Sequence, residues 1–226
     1  MKAAEYPCPL PGGAAAREYA LTFDAAREKR VLIAPALFEE GHKLRRFTLE
    51  VMRRLDGAGI DCFLPDLPGC NESSQDLALI EPEDWRMALE AAARHFEATH
   101  ILAIRGGGLV LPARLGGWHY APVKGASLLK TMLRARIIAA REAGREETID
   151  ALMEQGLQMG IDLAGYSLSG EMLRQMGELL PGKQTGISVI EHELIGGSAL
   201  WLRAEADEDA QQADALAAVI AIGLSA

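Results

Sequence analysis

Ile101-Leu102-Ala103-Ile104-Arg105-Gly106-Gly107-Gly108 is the stretch on which the fold turns. Four apolar residues suit a buried strand, and an arginine with three glycines then breaks the run into a tight turn. Two earlier stretches read the same way, VLIAPA (31–36) and IDCFLP (60–65). Between them the spacing predicts a helix from His42 to Ala58. Leu44, Phe47, Val51 and Leu55 share one of its faces, and Glu50 and Arg54 form an exposed pair one turn apart. Gly57 and Gly59 end it. Pro82 in a first turn with Glu83 and Asp84 starts a second helix, with Trp85, Leu89, Ala92 and Phe96 as its buried face. Strands alternating with helices imply a largely parallel α/β sheet covered on both faces.

Outside this alternation the chain reads differently. Residues 1 to 17 carry three prolines and read as a tail with little structure, followed by an edge strand, YALTF (19–23). From Gly125 to Leu180 the pattern is helical, with segments from Ser127 to Arg141, from Glu146 to Leu157 and from Ser169 onward. ISVIEHEL (187–194) and ALWLRA (199–204) read as closing strands, and DALAAVIAIGL (214–224) as a terminal helix. The expected division is a core from residues 1–124 and 181–226, with a helical cap, 125–180, inserted between them.

The bulk numbers narrow the function. The chain has 226 residues and a formal net charge of −9. That balance disfavours nucleic acid and an anionic membrane surface as partners. Three cysteines without a CxxC suggest neither a disulfide framework nor a zinc ribbon. No metal spacing and no cofactor motif stands out; the three glycines are followed by no G-K-[ST]. Without a signal peptide or an 18-residue apolar run, the expectation is a cytoplasmic protein with no membrane span, and a homo-oligomer is compatible with it.

Five stretches together resemble one family, the second type of exosortase A system-associated hydrolase. They are APALFEEGHKLRR (34–46), DLPGCNESSQD (66–76), Trp85, HYAPVKGASLLKTMLRAR (119–136) and AGYSLSGEML (164–173), with a weaker echo from Gly197 to Trp201. His42 stands where the family has asparagine, and Asn71 where it has glycine. The resemblance implies an α/β-hydrolase fold with a helical cap, and a setting of exopolysaccharide synthesis and PEP-CTERM protein sorting.

In an α/β hydrolase the nucleophile sits in the turn between a central strand and the next helix. Here that turn holds Arg105, and members of the family often carry arginine there. A guanidinium cannot attack a carbonyl. Either it binds a carboxylate or phosphate with help from the backbone of Gly106 and Gly107, or it pairs with Glu39 or Glu40 and holds the loop. The near-match GYSLSG (165–170) offers Ser167 as a displaced nucleophile. It reads more simply as a helix start, with Ser169 as N-cap and Leu168 and Leu173 as a staple. The only histidine after Ser167 is His192, placed within a strand, and none falls near Gly197 to Trp201. Cys70 is a further candidate thiol, and His42 reads as a helix cap.

The favoured reading is a degenerate, non-catalytic hydrolase fold, a pseudoenzyme. It would bind a small acidic or acyl- or glycan-linked ligand with Glu39, Glu40, His42, Lys43, Arg46, Arg105, Gly106 and Gly107. The alternatives are an esterase or thioesterase using Ser167 or Cys70 with His192, and an interaction module built on the acidic 205–214 stretch and the cap.

Overall fold

Residues 1–182 and 185–225 are described in the computed structural model. The sheet has seven strands: β1 (Lys2–Pro9), β2 (Ala15–Phe23), β3 (Arg30–Ala34), β4 (Asp61–Pro65), β5 (His100–Ile104), β6 (Gly117–Tyr120) and, after the inserted segment, β9 (Ile187–Ile190). Their order is β1-β2-β4-β3-β5-β6-β9. Every pairing from β4 to β9 is parallel, and β1 and β2 are antiparallel additions at one edge.

Helices cover both faces. α1 (Glu39–Gly57) and the C-terminal α7 (Ala210–Gly223) bury Phe47, Val51, Leu216 and Ile220 against one side. α2 (Pro82–His95) buries Trp85, Ala88, Leu89 and Ala92 against the other. α2 starts on a capping box in which Glu81 and Asp84 satisfy each other's backbone N–H groups. The indole of Trp85 donates to the Pro68 carbonyl at 2.9 Å, which ties α2 to the loop after β4.

Between β6 and β9 the chain forms α3 (Gly125–Glu142), α4 (Ile149–Met159), a hairpin of β7 (Ile161–Leu163) and β8 (Tyr166–Leu168), and α5 (Gly170–Glu178). Their apolar residues, among them Leu128, Met132, Leu152 and Leu173, join the same cluster as Trp85 and Phe38. Ser169 caps α5 by accepting from the Met172 amide at 3.0 Å. After β9 come the short α6 (His192–Ile195) and a 3-10 turn over Leu200–Leu202. Among the described residues no helix is long and apolar enough to cross a membrane.

Five expectations need correction, the first being YALTF as an edge strand: it belongs to β2, which is paired on both sides, by β1 and β4. Residues 1 to 17 are not a tail: β1 pairs with β2 from Lys2 opposite Thr22 to Pro9 opposite Ala15. Tyr6 and Cys8 point inward and are fully buried, and the Tyr6 hydroxyl donates to the Asp66 carbonyl at 2.8 Å. The prolines fit because an edge strand needs no donor on its outer side. ALWLRA is a turn, not a strand, because Leu200 and Trp201 pack singly onto the sheet's end. His192 opens α6 instead of lying in a strand. α1 begins at Glu39, three residues before the expected start, since Glu39 and Glu40 complement the positive end of the helix dipole. It follows that His42 lies inside the helix and Phe38 takes the cap position.

The hairpin correction is testable. Tyr6→Ala should cost about 3–5 kcal/mol, as for other large buried aromatics. Thermal unfolding should then show Tm lower by roughly 10 °C. An unstructured tail predicts no change.

Candidate functional site

Arg105 follows the last residue of β5 and adopts φ 51°, a left-handed conformation unfavourable for a side chain of its size. The three glycines after it need space, not unusual dihedrals. A Cβ on Gly106 would stand 2.8 Å from the Leu128 side chain and 3.1 Å from that of Leu37. One on Gly107 would meet the Ala34 and Pro35 carbonyls at 2.4 and 2.5 Å. One on Gly108 would lie 1.9 Å from the His119 ring. The glycines therefore let the turn press onto the β3–α1 loop on one side and onto β6 on the other.

His119 supports the turn from beneath. It is 1 % exposed, and its Nε2–H donates to the Arg105 carbonyl at 2.7 Å. Burial lowers its pKa, outweighing the backbone hydrogen bond, which raises it, and the positive charge of Arg105 lowers it further. The ring is thus held neutral with its proton on Nε2.

The Arg105 side chain turns into the protein and is 11 % exposed. Nε and Nη2 donate to the two carboxylate oxygens of Glu40 at 3.0 and 2.8 Å, a two-pronged ion pair. Nη1 donates to the Ala121 carbonyl at 3.1 Å, and the guanidinium carbon lies 4.1 Å above the Trp201 ring. Three of the five N–H donors are thereby engaged. Glu39 instead pairs with Lys43 one turn along α1, at 2.8 Å.

His192 stands beside the same tryptophan, its ring centroid 4.9 Å from that of Trp201. Its Nε2 donates to the Gly197 carbonyl at 3.2 Å, and its Nδ1 meets the Tyr120 hydroxyl at 2.8 Å. Both nitrogens are engaged, and Trp201 contacts both the imidazole and the Arg105 guanidinium. The absence of a histidine near Gly197 to Trp201 therefore holds in sequence but not in space.

Other predicted residues scatter. Ser167 is exposed on β8 and donates across the hairpin to Asp162, its register partner. Burial pushes the Cys70 thiol up to about 12, with Asp66 and Glu18 adding to the effect, and a thiol so placed is a poor nucleophile. His42 is exposed, its ring 6.1 Å from that of Tyr166. Arg46 reaches away to Glu208 at 2.5 Å. The cleft around Glu39, Glu40, Lys43, Thr131 and Trp201 holds about 20 Å³. Across Phe38 a second space of about 30 Å³ lies against Arg45, Cys70 and Tyr166. Each admits a water or two, far below the 300 Å³ or more of typical ligand pockets. Among the described residues, no three His, Cys, Asp or Glu side chains converge as metal ligands. Sequence reasoning missed His119, Tyr120 and Trp201, which no local pattern brings together.

Two measurements check this geometry. Removing one partner of a largely buried pair leaves the other uncompensated, so Glu40→Ala should lose about 3 kcal/mol in denaturant titrations, while Glu40→Leu with Arg105→Met should recover most of it. A histidine held neutral adds stability above its ordinary pKa of about 6.5, and that stability is lost as pH falls below it. The Tm loss between neutral and mildly acidic buffer should therefore be smaller in His119→Gln than in the wild type.

No protein-family model matches the sequence, and no curated protein matches it. Solved structures do resemble the fold. An esterase domain from Rhodothermus marinus is similar at a TM-score of 0.56 and 12 % identity, over 99 % of this chain and 98 % of that one. Est1E from Butyrivibrio proteoclasticus, solved with ferulic acid, is similar at 0.53 and 11 % identity, over 92 % and 95 %. A Mycobacterium tuberculosis protein is similar at 0.50 and 11 % identity, over 83 % and 80 %. With the strand order, the helices on both faces and the turn after β5, this likeness gives the chain the α/β-hydrolase fold.

Proposed function

We propose that this is a non-hydrolytic α/β-hydrolase-fold protein that acts by binding. The observation that carries the reading is Arg105 in the nucleophile turn, its guanidinium already gripping a carboxylate in two-pronged geometry. The ligand group that fits is therefore a carboxylate or a phosphate monoester, the oxyanions that match a guanidinium fork. Glu40 occupies that place in the unliganded protein, and Trp201 closes over it. Binding requires Glu40 to swing toward solvent at the first turn of α1 and the oxyanion to take over its two hydrogen bonds. Lys43 and Thr131, beside the cleft, are placed to meet the rest of the ligand.

The motifs shared with exosortase A system-associated hydrolases support a setting in exopolysaccharide and PEP-CTERM sorting loci, and an acyl- or glycan-linked acid is the matching ligand class. In this reading residues 125–180 serve as the cap over the site. Two observations weigh against hydrolysis by Ser167 or Cys70: the Ser167 hydroxyl is hydrogen-bonded to Asp162 with no histidine at it among the described residues, and burial pushes the Cys70 thiol up.

A fluorophosphonate probe with a short-chain ester panel tests the reading, on wild type, Ser167→Ala, Cys70→Ala and Arg105→Ala. The expected result is no labelling and no turnover in any of them. Thermal shift with a panel of dicarboxylates and phosphate monoesters should raise the Tm of wild type and not of Arg105→Ala. Turnover that vanishes only in Ser167→Ala or Cys70→Ala would replace this reading with an enzyme.

A further inference from the structure

α3 carries its charge in an arrangement that its own stability does not explain. Its buried side is formed by Leu128, Leu129, Met132, Leu133 and Ala140. On the opposite side, at about 100° per residue, Lys130, Arg134 and Arg141 fall within roughly 40° of arc. All three are exposed, and among the described residues none of them forms an ion pair. Many other arginines do find acids, as the net charge of −9 would lead one to expect, although among the described residues exposed Arg114 and Arg145 form no ion pair either. Arg46 pairs with Glu208, Arg53 with Glu50, Arg54 with Glu50 and Asp214, and Arg94 with Glu90.

Three further features work against the isolated helix. Lys130 and Arg134 are like charges one turn apart, which repel. The first turn of α3 has no acid, and Lys124 sits at its N-cap, beside the positive end of the dipole. The helix's single acid, Glu142, lies about 100° around from Arg141. Beside this arc, about 40° beyond Arg134, Ile138 is 59 % exposed.

We propose that this face of α3 docks the protein on an anionic lipid bilayer surface. Lys130 to Arg141 spans about 16 Å along the helix axis. Cations clustered on one side of a helix reach a plane together, and Ile138 at the flank of the cluster meets the headgroup layer. An acidic peptide would instead favour a groove beside the helix. The negative charge of the rest of the molecule does not forbid this, because charges more than about 10 Å from the contact are screened at physiological salt. Thr131, at the edge of the stripe, also lines the cleft beside Glu40, so docking would bring that cleft to the bilayer surface. The proposal does not depend on what Arg105 binds.

Vesicle flotation of the full chain tests it, with phosphatidylcholine vesicles against vesicles containing one third phosphatidylglycerol. Wild type should float with the anionic vesicles only, and high salt should release it. Lys130→Gln/Arg134→Gln/Arg141→Gln should lower the partition coefficient on the order of a hundredfold, at about 1 kcal/mol per cation. Arg17→Gln/Arg53→Gln/Arg94→Gln changes the net charge equally and should bind as wild type does. Ile138→Ser should weaken binding a few-fold, and Arg105→Ala should retain it. Circular dichroism melting checks that the triple variant keeps its fold. Wild type left unbound, equal loss in both triple variants, or capture by polyglutamate but not by vesicles would each overturn the proposal.

Discussion

The turn after β5 has no room for a side chain at three successive positions, and much of the site follows from that. Gly106, Gly107 and Gly108 press the chain onto Leu37, onto the Ala34 and Pro35 carbonyls and onto His119. The strain gathers one residue earlier, at Arg105, whose left-handed backbone costs on the order of 1–3 kcal/mol unless its surroundings enforce it. They do so from two directions: His119 fixes the carbonyl from below, and Glu40, Ala121 and Trp201 fix the side chain from above. The protein thus presents a cation at the turn after β5.

A cation there changes what the neighbouring groups can do. A nucleophile elbow works with a histidine that reaches the attacking oxygen. Here His192 is tied to Tyr120 and Gly197 and packs against Trp201. The cleft holds about 20 Å³, and Glu40 balances the charge of Arg105. A small, internally neutralised cleft fits the proposed binding role, in which an incoming anion displaces Glu40.

How much was legible in the sequence differs by element. β3, β4 and β5 are unbroken apolar runs, and α1, α2 and α3 carry clear faces, so local pattern was enough. The β1–β2 hairpin was hidden by its prolines, which are harmless only because β1 lies at an edge. β6 was missed because it is short and begins at Gly117, a glycine required because a Cβ there would lie 2.0 Å from the Ile101 carbonyl. Arg105 stood out at the elbow by alignment to a motif. The choice of Glu40 over Glu39 did not, since it depends on where α1 starts and on Lys43 taking Glu39. His119 and Trp201 reach the site through the order of the strands and the path of the chain after β9, which no window of sequence displays.

The central claim is that Glu40 holds the place of a ligand's oxyanion on Arg105. Chemical rescue tests it most directly: titrate Glu40→Ala with acetate and with phosphate, and follow Tm at constant ionic strength. The account predicts that Tm climbs toward the wild-type value as the anion fills the vacated site, and that the same titration does nothing to Glu40→Ala combined with Arg105→Met. An equal response in both variants, or none in either, would mean that the Arg105–Glu40 pair is only a structural clasp.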